Sequence, residues 1–95
     1  MIGKRVHYTG RVQGVGFRAT TAAIARGFDV AGTVENVDDG RVLVVVEGDL
    51  EQLTAFLEAM DVELGQHFRA ADITDRTATG EFGDPKALNA FRVKY

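Results

Sequence analysis

Asp38-Asp39-Gly40 narrows the folds open to this chain more than any other stretch. Before it, Val30, Gly32, Val34 and Asn36 alternate with Ala31, Thr33, Glu35 and Val37, the period of an extended strand. After it comes Arg41 to Glu47, whose centre Val42-Leu43-Val44-Val45-Val46 is a nearly continuous β-branched run suited to a buried central strand. Aspartate and glycine tolerate the positive φ that tight hairpin turns need, so these two strands are predicted to be antiparallel neighbours. A chain that turns straight back on itself here cannot be continuing a series of parallel βαβ units.

That exclusion decides how the glycine-rich stretch upstream is read. Val6, Tyr8, Gly10 and Val12 alternate with Arg5, His7, Thr9 and Arg11, which predicts a first strand over about Lys4 to Val12. Residues from Phe17 or Arg18 to Arg26 are rich in alanine and free of glycine and proline, so they predict a helix stopping at Gly27 in a left-handed cap. Ala23, Ile24 and Phe28, with Thr20 or Thr21, are expected on its packed side. The junction, Gly10-Arg11-Val12-Gln13-Gly14-Val15-Gly16-Phe17-Arg18, is a glycine-rich loop entering a helix N-terminus. Gly14-Val15-Gly16-Phe17-Arg18-Ala19 fits a dinucleotide fingerprint, but the hairpin and a length of 95 residues rule out the doubly wound sheet it requires.

A smaller anion fits better. Glycines let backbone N–H groups converge on one point, the helix dipole adds partial positive charge, and Arg18 offers a planar, permanently charged fork. A strand-to-helix turn can need glycine for sterics alone, and a lone arginine in a first helical turn is often only solvated. The combination of two glycines, apolar Val15 and Phe17, and Arg18 directly after them favours a phosphate site made by Gln13, Gly14, Val15, Gly16, Phe17 and Arg18. Asn36 lies two residues before the hairpin turn on an apolar strand face with Val34, where a buried amide needs partners. His7 and His67 are the only histidines and lie apart in the sequence, so neither a paired base nor a metal cluster is expected.

Further on, Asp49 with Gln52 resembles a capping box, and Leu50, Leu53, Leu57 and Met60 form a core-facing helical stripe. Val62 to Phe68 is expected to be a connection, Arg69 to Asp75 a weak strand and Phe91 to Tyr95 a better one. Thr77 to Asn89, with Gly80, Gly83 and Pro85, reads as a loop. The order β-α-β-β-α-β with an extra terminal strand is an α+β, ferredoxin-like split βαβ arrangement, in which two helices cover one face of an antiparallel sheet. Residues 1–95 are expected to form a single domain.

The resulting sequence resembles an acylphosphatase. The glycine-rich loop through Arg18 is similar to the family's first signature, and Gly32-Thr33-Val34-Glu35-Asn36-Val37-Asp38-Asp39-Gly40-Arg41-Val42 to its second. The resemblance implies hydrolysis of acyl phosphates to a carboxylate and inorganic phosphate, without metal or organic cofactor. It implies that Arg18 and the loop amides bind the phosphoryl group and that Asn36 orients the attacking water. The chain departs from the family at Thr33, commonly aromatic, at Glu35, commonly basic, and at Gly65-Gln66, where a glycine–proline pair is usual. Its loop around Asp84-Pro85 is longer than usual. These differences bear on substrate access and rate more than on reaction class.

Two other readings use the same fold. One is a non-catalytic module that binds phosphate or another anion. The other is an RNA-recognition module, which wants aromatic residues on central strands and a basic surface; Arg41 to Glu47 has no aromatic residue and the formal charge is −3. The expected partners are therefore a small-molecule acyl phosphate, and inorganic phosphate or sulfate as product-like ligands, with no nucleic acid or membrane. The absence of cysteine fits a reducing compartment, and a cytoplasmic, monomeric, free-standing protein is expected rather than a domain of a larger carbamoyl-transferring one.

Overall fold

The computed structural model describes residues 1–95. Five strands and two helices follow the order β1 (Ile2–Gly10), α1 (Phe17–Ala25), β2 (Val30–Asn36), β3 (Val42–Gly48), α2 (Leu50–Leu64), β4 (Phe68–Arg76) and β5 (Phe91–Lys94). The strands make one sheet in the order β4-β1-β3-β2-β5. β3 is central, as its β-branched composition predicts: β1 and β2 flank it antiparallel, with Val6 opposite Val44 and Val34 opposite that same residue. The sheet is antiparallel except for one pair, because β5 runs parallel to β2, with Gly32 beside Phe91 and Val34 beside Val93. β5 therefore carries the chain toward the same end of the sheet as Asn36.

Val6, Tyr8, Val34, Val42, Val44 and Val46 face the helices and are buried. In α2 the buried stripe is Leu53, Phe56, Met60 and Leu64. Leu53 and Met60 of the predicted stripe are buried, but Leu50 is exposed and Leu57 only partly buried, so the stripe is rotated toward Phe56 and Leu64. The aromatic ring of Phe56, packed against Phe28 and Phe91 at centroid distances of 6.3 and 5.7 Å, sets which face turns inward. α2 also runs through Val62 to Leu64, part of the expected connection. Asp49 is its N-cap, but no side-chain cap bond forms; Gln52 Oε1 instead accepts the Asp29 N–H at 2.8 Å, tying the helix to the start of β2. In α1 the buried residues are Phe17, Thr21, Ala22 and Ala25, with Ala23 exposed rather than packed. That helix ends without a left-handed glycine: Gly27 N–H bonds Ile24 O and Phe28 N–H bonds Ala25 O, tightening the last turn.

The Thr77 to Asn89 segment must join β4 and β5, which are opposite edges of the sheet. It is anchored to the helix-free face by Glu47, a fully buried carboxylate. Its Oε2 accepts from Arg76 Nη1 at 3.0 Å, Thr79 N–H at 2.8 Å and Thr79 Oγ1 at 3.2 Å, and its Oε1 from Gly80 N–H at 3.0 Å. Burial pushes this carboxyl up, but the donors from Thr79, Gly80 and Arg76 together outweigh it and hold the pKa below the ordinary glutamate value. A depressed folded-state pKa contributes stability that is present above the unfolded carboxylate's pKa and is lost as pH falls through the folded one. Glu47→Gln is therefore expected to cost about 3 kcal/mol at neutral pH, a fall in Tm of about 12–24 °C. The gap to wild type should narrow in acid, as thermal melts at neutral and acidic pH would show. Activity should persist, because Glu47 lies about 17 Å along β3 from the end that carries Asn36.

Candidate active site

The loop between β1 and α1 is held at both ends by apolar anchors. Val12 and Phe17 are each 1% exposed, and the Phe17 ring packs on Tyr8 and Phe68 at centroid distances of 5.4 and 6.3 Å. These contacts fix the first turn of α1 on the sheet, and with it Arg18. Between the anchors the backbone bends outward through Gly14 (φ 80°) and Gly16 (φ 77°), left-handed conformations that residues with a Cβ adopt only under strain. Gly16 is the N-cap of α1, and no side chain caps the helix. As a result the backbone N–H groups of Gly14 through Ala19 donate to no acceptor in the protein. They are a row of unsatisfied donors at the positive end of a helix dipole.

A cavity of about 150 Å³ lies at this point, lined by Val12, Gly14, Gly16, Phe17, Arg18, Ala19, Asn36, Val93 and Tyr95. Arg18 forms no ion pair within the protein; its guanidinium stacks on the Tyr95 ring at 4.9 Å from the centroid. Asn36, at the last residue of β2 and on the same strand face as buried Val34, contributes Oδ1, a buried acceptor without a hydrogen-bond partner in the protein. Backbone donors, one unneutralised cation and one carboxamide without a partner in the protein thus belong to residues around a single space. No three His, Cys, Asp or Glu side chains converge as a metal site would require.

Of the residues expected to hold phosphate, Gly14, Gly16, Phe17 and Arg18 line this cavity, Phe17 by its backbone because its ring is in the core. Gln13 and Val15 do not line it. Val15 is exposed at the loop tip, and the Gln13 side chain is turned onto the β2–β3 hairpin, where Nε2 donates to Val37 O at 2.9 Å and Arg41 O at 3.0 Å. Tyr95 and Val93 went unrecognised in the sequence as site residues, since nothing local to the β5 segment marks its pairing with β2. Of the departures noted above, Glu35 approaches Lys94 at 3.8 Å, and strand alternation directs it to the face opposite Asn36. The long loop with Pro85 packs near Met1, Asp29 and Asp49, at the other end of the sheet. Neither crowds the cavity.

The chain is similar to known proteins over nearly its whole length. A sequence model described as Acylphosphatase matches residues 4–91. The chain is 40% identical over 90 residues to an acylphosphatase of Haloarcula marismortui, covering 95% of this chain and 92% of that one. Its fold matches the crystal structure of acylphosphatase from Bacillus subtilis with a TM-score of 0.82 at 31% identity, over 100% of both chains. It also matches part of the crystal structure of HypF from T. kodakarensis, with a TM-score of 0.80 at 28% identity, over 100% of this chain and 12% of that one.

Proposed function

The chain belongs to the acylphosphatase family, a family of hydrolases, and from that premise we propose that residues 1–95, as one catalytic domain, hydrolyse acyl phosphates to a carboxylate and inorganic phosphate. The phosphoryl group lies in the cavity against the N–H groups of the glycine-rich loop and the Arg18 fork. Asn36 Oδ1 accepts a hydrogen bond from the attacking water. Water oxygen bonds to phosphorus, the bond from phosphorus to the acyl oxygen breaks, and its electron pair leaves on the carboxylate. The water proton passes to the phosphate.

Little else is required chemically. The departing carboxylate is the conjugate base of an acid with a pKa of about 4, so no protein group needs to protonate it. Phosphoryl transfer proceeds through a loose transition state in most analyses, and positioning and charge stabilisation supply most of the catalysis.

The observation that carries this reading is the Asn36 carboxamide, which makes no hydrogen bond within the protein and belongs to a residue lining the cavity shared with Arg18 and the uncapped helix. A carboxamide differs from the other groups around the cavity in carrying an acceptor beside its N–H donors; an anion has no use for that acceptor, whereas a water has a proton to give it. That argues for hydrolysis over a non-catalytic anion module. The test is turnover of benzoyl phosphate, with a crystal soaked in phosphate or sulfate. Turnover together with an oxyanion against residues 14 to 18 is the expected result; an anion without turnover would make the protein a binding module.

A further inference from the structure

The geometry points to Gln13 as a positioning residue, an inference that rests on the hydrolase reading above: its side-chain amide sets the distance between the loop that holds phosphate and the hairpin that carries Asn36. Gln13 then governs turnover through Asn36, without touching substrate.

The amide is fully committed. Nε2 has two hydrogens and uses both, on Val37 O and Arg41 O. Each of those carbonyls also accepts a backbone N–H, Val37 O from Gly40 at 3.1 Å and Arg41 O from Val37 at 2.9 Å, so both lone pairs of each oxygen are engaged. The hairpin side of the clamp is itself locked, because Asp39 Oδ1 accepts the Arg41 N–H at 3.0 Å and its Oδ2 accepts from Arg41 Nε at 2.8 Å. No donor remains on the Gln13 side chain for a phosphate. Its Oε1 is an acceptor, which an anion would avoid.

No backbone bond does this job. The β1–β3 ladder ends at Tyr8 opposite Val42, before the loop begins. A Cβ placed on Gly14 or Gly16 would meet nothing within 4 Å, so the loop is open on the side where a side chain would stand. Val12 and Phe17 fasten the loop to the core, but the Gln13 amide is the group that fastens it to the hairpin, and Val37, one of its two acceptors, directly follows Asn36. Without the clamp, the donors that hold phosphorus and the acceptor that aims the water are free to drift apart, and misplacement by about 1 Å costs on the order of 100-fold in rate.

The experiment is a double-mutant cycle on the full chain. It measures kcat and KM for benzoyl phosphate and the inhibition constant of inorganic phosphate for wild type, Gln13→Ala, Asn36→Ala and the double variant. Gln13→Ala is expected to lower kcat about 10- to 100-fold while phosphate inhibition changes less than about twofold. In the Asn36→Ala background it should add less than about twofold. Phosphate inhibition weakened in step with kcat, or losses that multiply across the cycle, would overturn the assignment. Gln13→Glu keeps the shape but has no proton to donate as a carboxylate; facing two carbonyls, its pKa should rise. Its activity relative to wild type is expected to climb from neutral to mildly acidic pH as an O–H donor returns, and a flat ratio would also overturn the assignment. If wild type turns over benzoyl phosphate and the Arg18 and Asn36 variants lose it, a failed cycle sinks only the Gln13 inference. An inactive wild type sinks both.

Discussion

Arg18→Ala is expected to lower kcat/KM for benzoyl phosphate by about 1,000-fold or more and to weaken inhibition by inorganic phosphate in parallel. The side chain has no carboxylate partner in the protein, so its charge is available in full to a ligand in the cavity it lines. Removing it takes away the only charged side chain lining that space. In a chain with formal charge −3 no global positive field can substitute. Fold stability should hardly change, since the guanidinium forms no internal ion pair and stacks on exposed Tyr95. Arg18→Lys separates charge from shape. A point charge without the planar fork should retain part of the phosphate affinity and lose more of the rate, because two simultaneous bonds orient the phosphoryl oxygens and one does not. Steady-state kinetics with phosphate as competitive inhibitor check all of this, and an Arg18→Ala protein with near wild-type turnover would remove the residue from the mechanism.

Asn36→Ala should have the complementary signature. Loss of the carboxamide is expected to lower kcat by about 100- to 1,000-fold while the phosphate inhibition constant stays within about twofold, because the role proposed for Asn36 is to hold the water and not the anion. The substitution also removes a buried polar atom that has no partner in the protein, so thermal stability should be unchanged or slightly raised. Asn36→Asp tests the same point by charge: a carboxylate of nearly the same shape beside the phosphoryl group should weaken phosphate inhibition as well as turnover. If Asn36→Ala instead weakens phosphate and leaves kcat intact, the carboxamide is an anion ligand and the water-orienting role falls.

Both residues and the fold around them were legible because the signals are local. Strand alternation put Asn36 on the face of Val34, a left-handed turn needed Gly40 (φ 93°), and a glycine-rich entry to a helix implied free N–H groups beside Arg18. The direction of the Gln13 side chain was not legible in the same way. Its place in the loop is a matter of sequence, but where its side chain goes depends on two carbonyls 24 and 28 residues away. Glu47 was invisible for a related reason. A glutamate at the end of a strand is ordinarily solvated, and only donors from residues 76 to 80, brought over the open face by the loop between the two edge strands, make its burial tolerable.

Periodicity and backbone sterics depend on neighbours in the chain, so the amino-acid order alone settled the hairpin, the central strand, the loop-to-helix junction and the face that bears Asn36. Contacts between distant segments depend on which edges meet and which volumes fit. Assembly therefore decided that Phe56 and not Leu50 faces inward in α2, that β5 lies parallel to β2 and brings Tyr95 over Arg18, and that Gln13 spans from the loop to the hairpin.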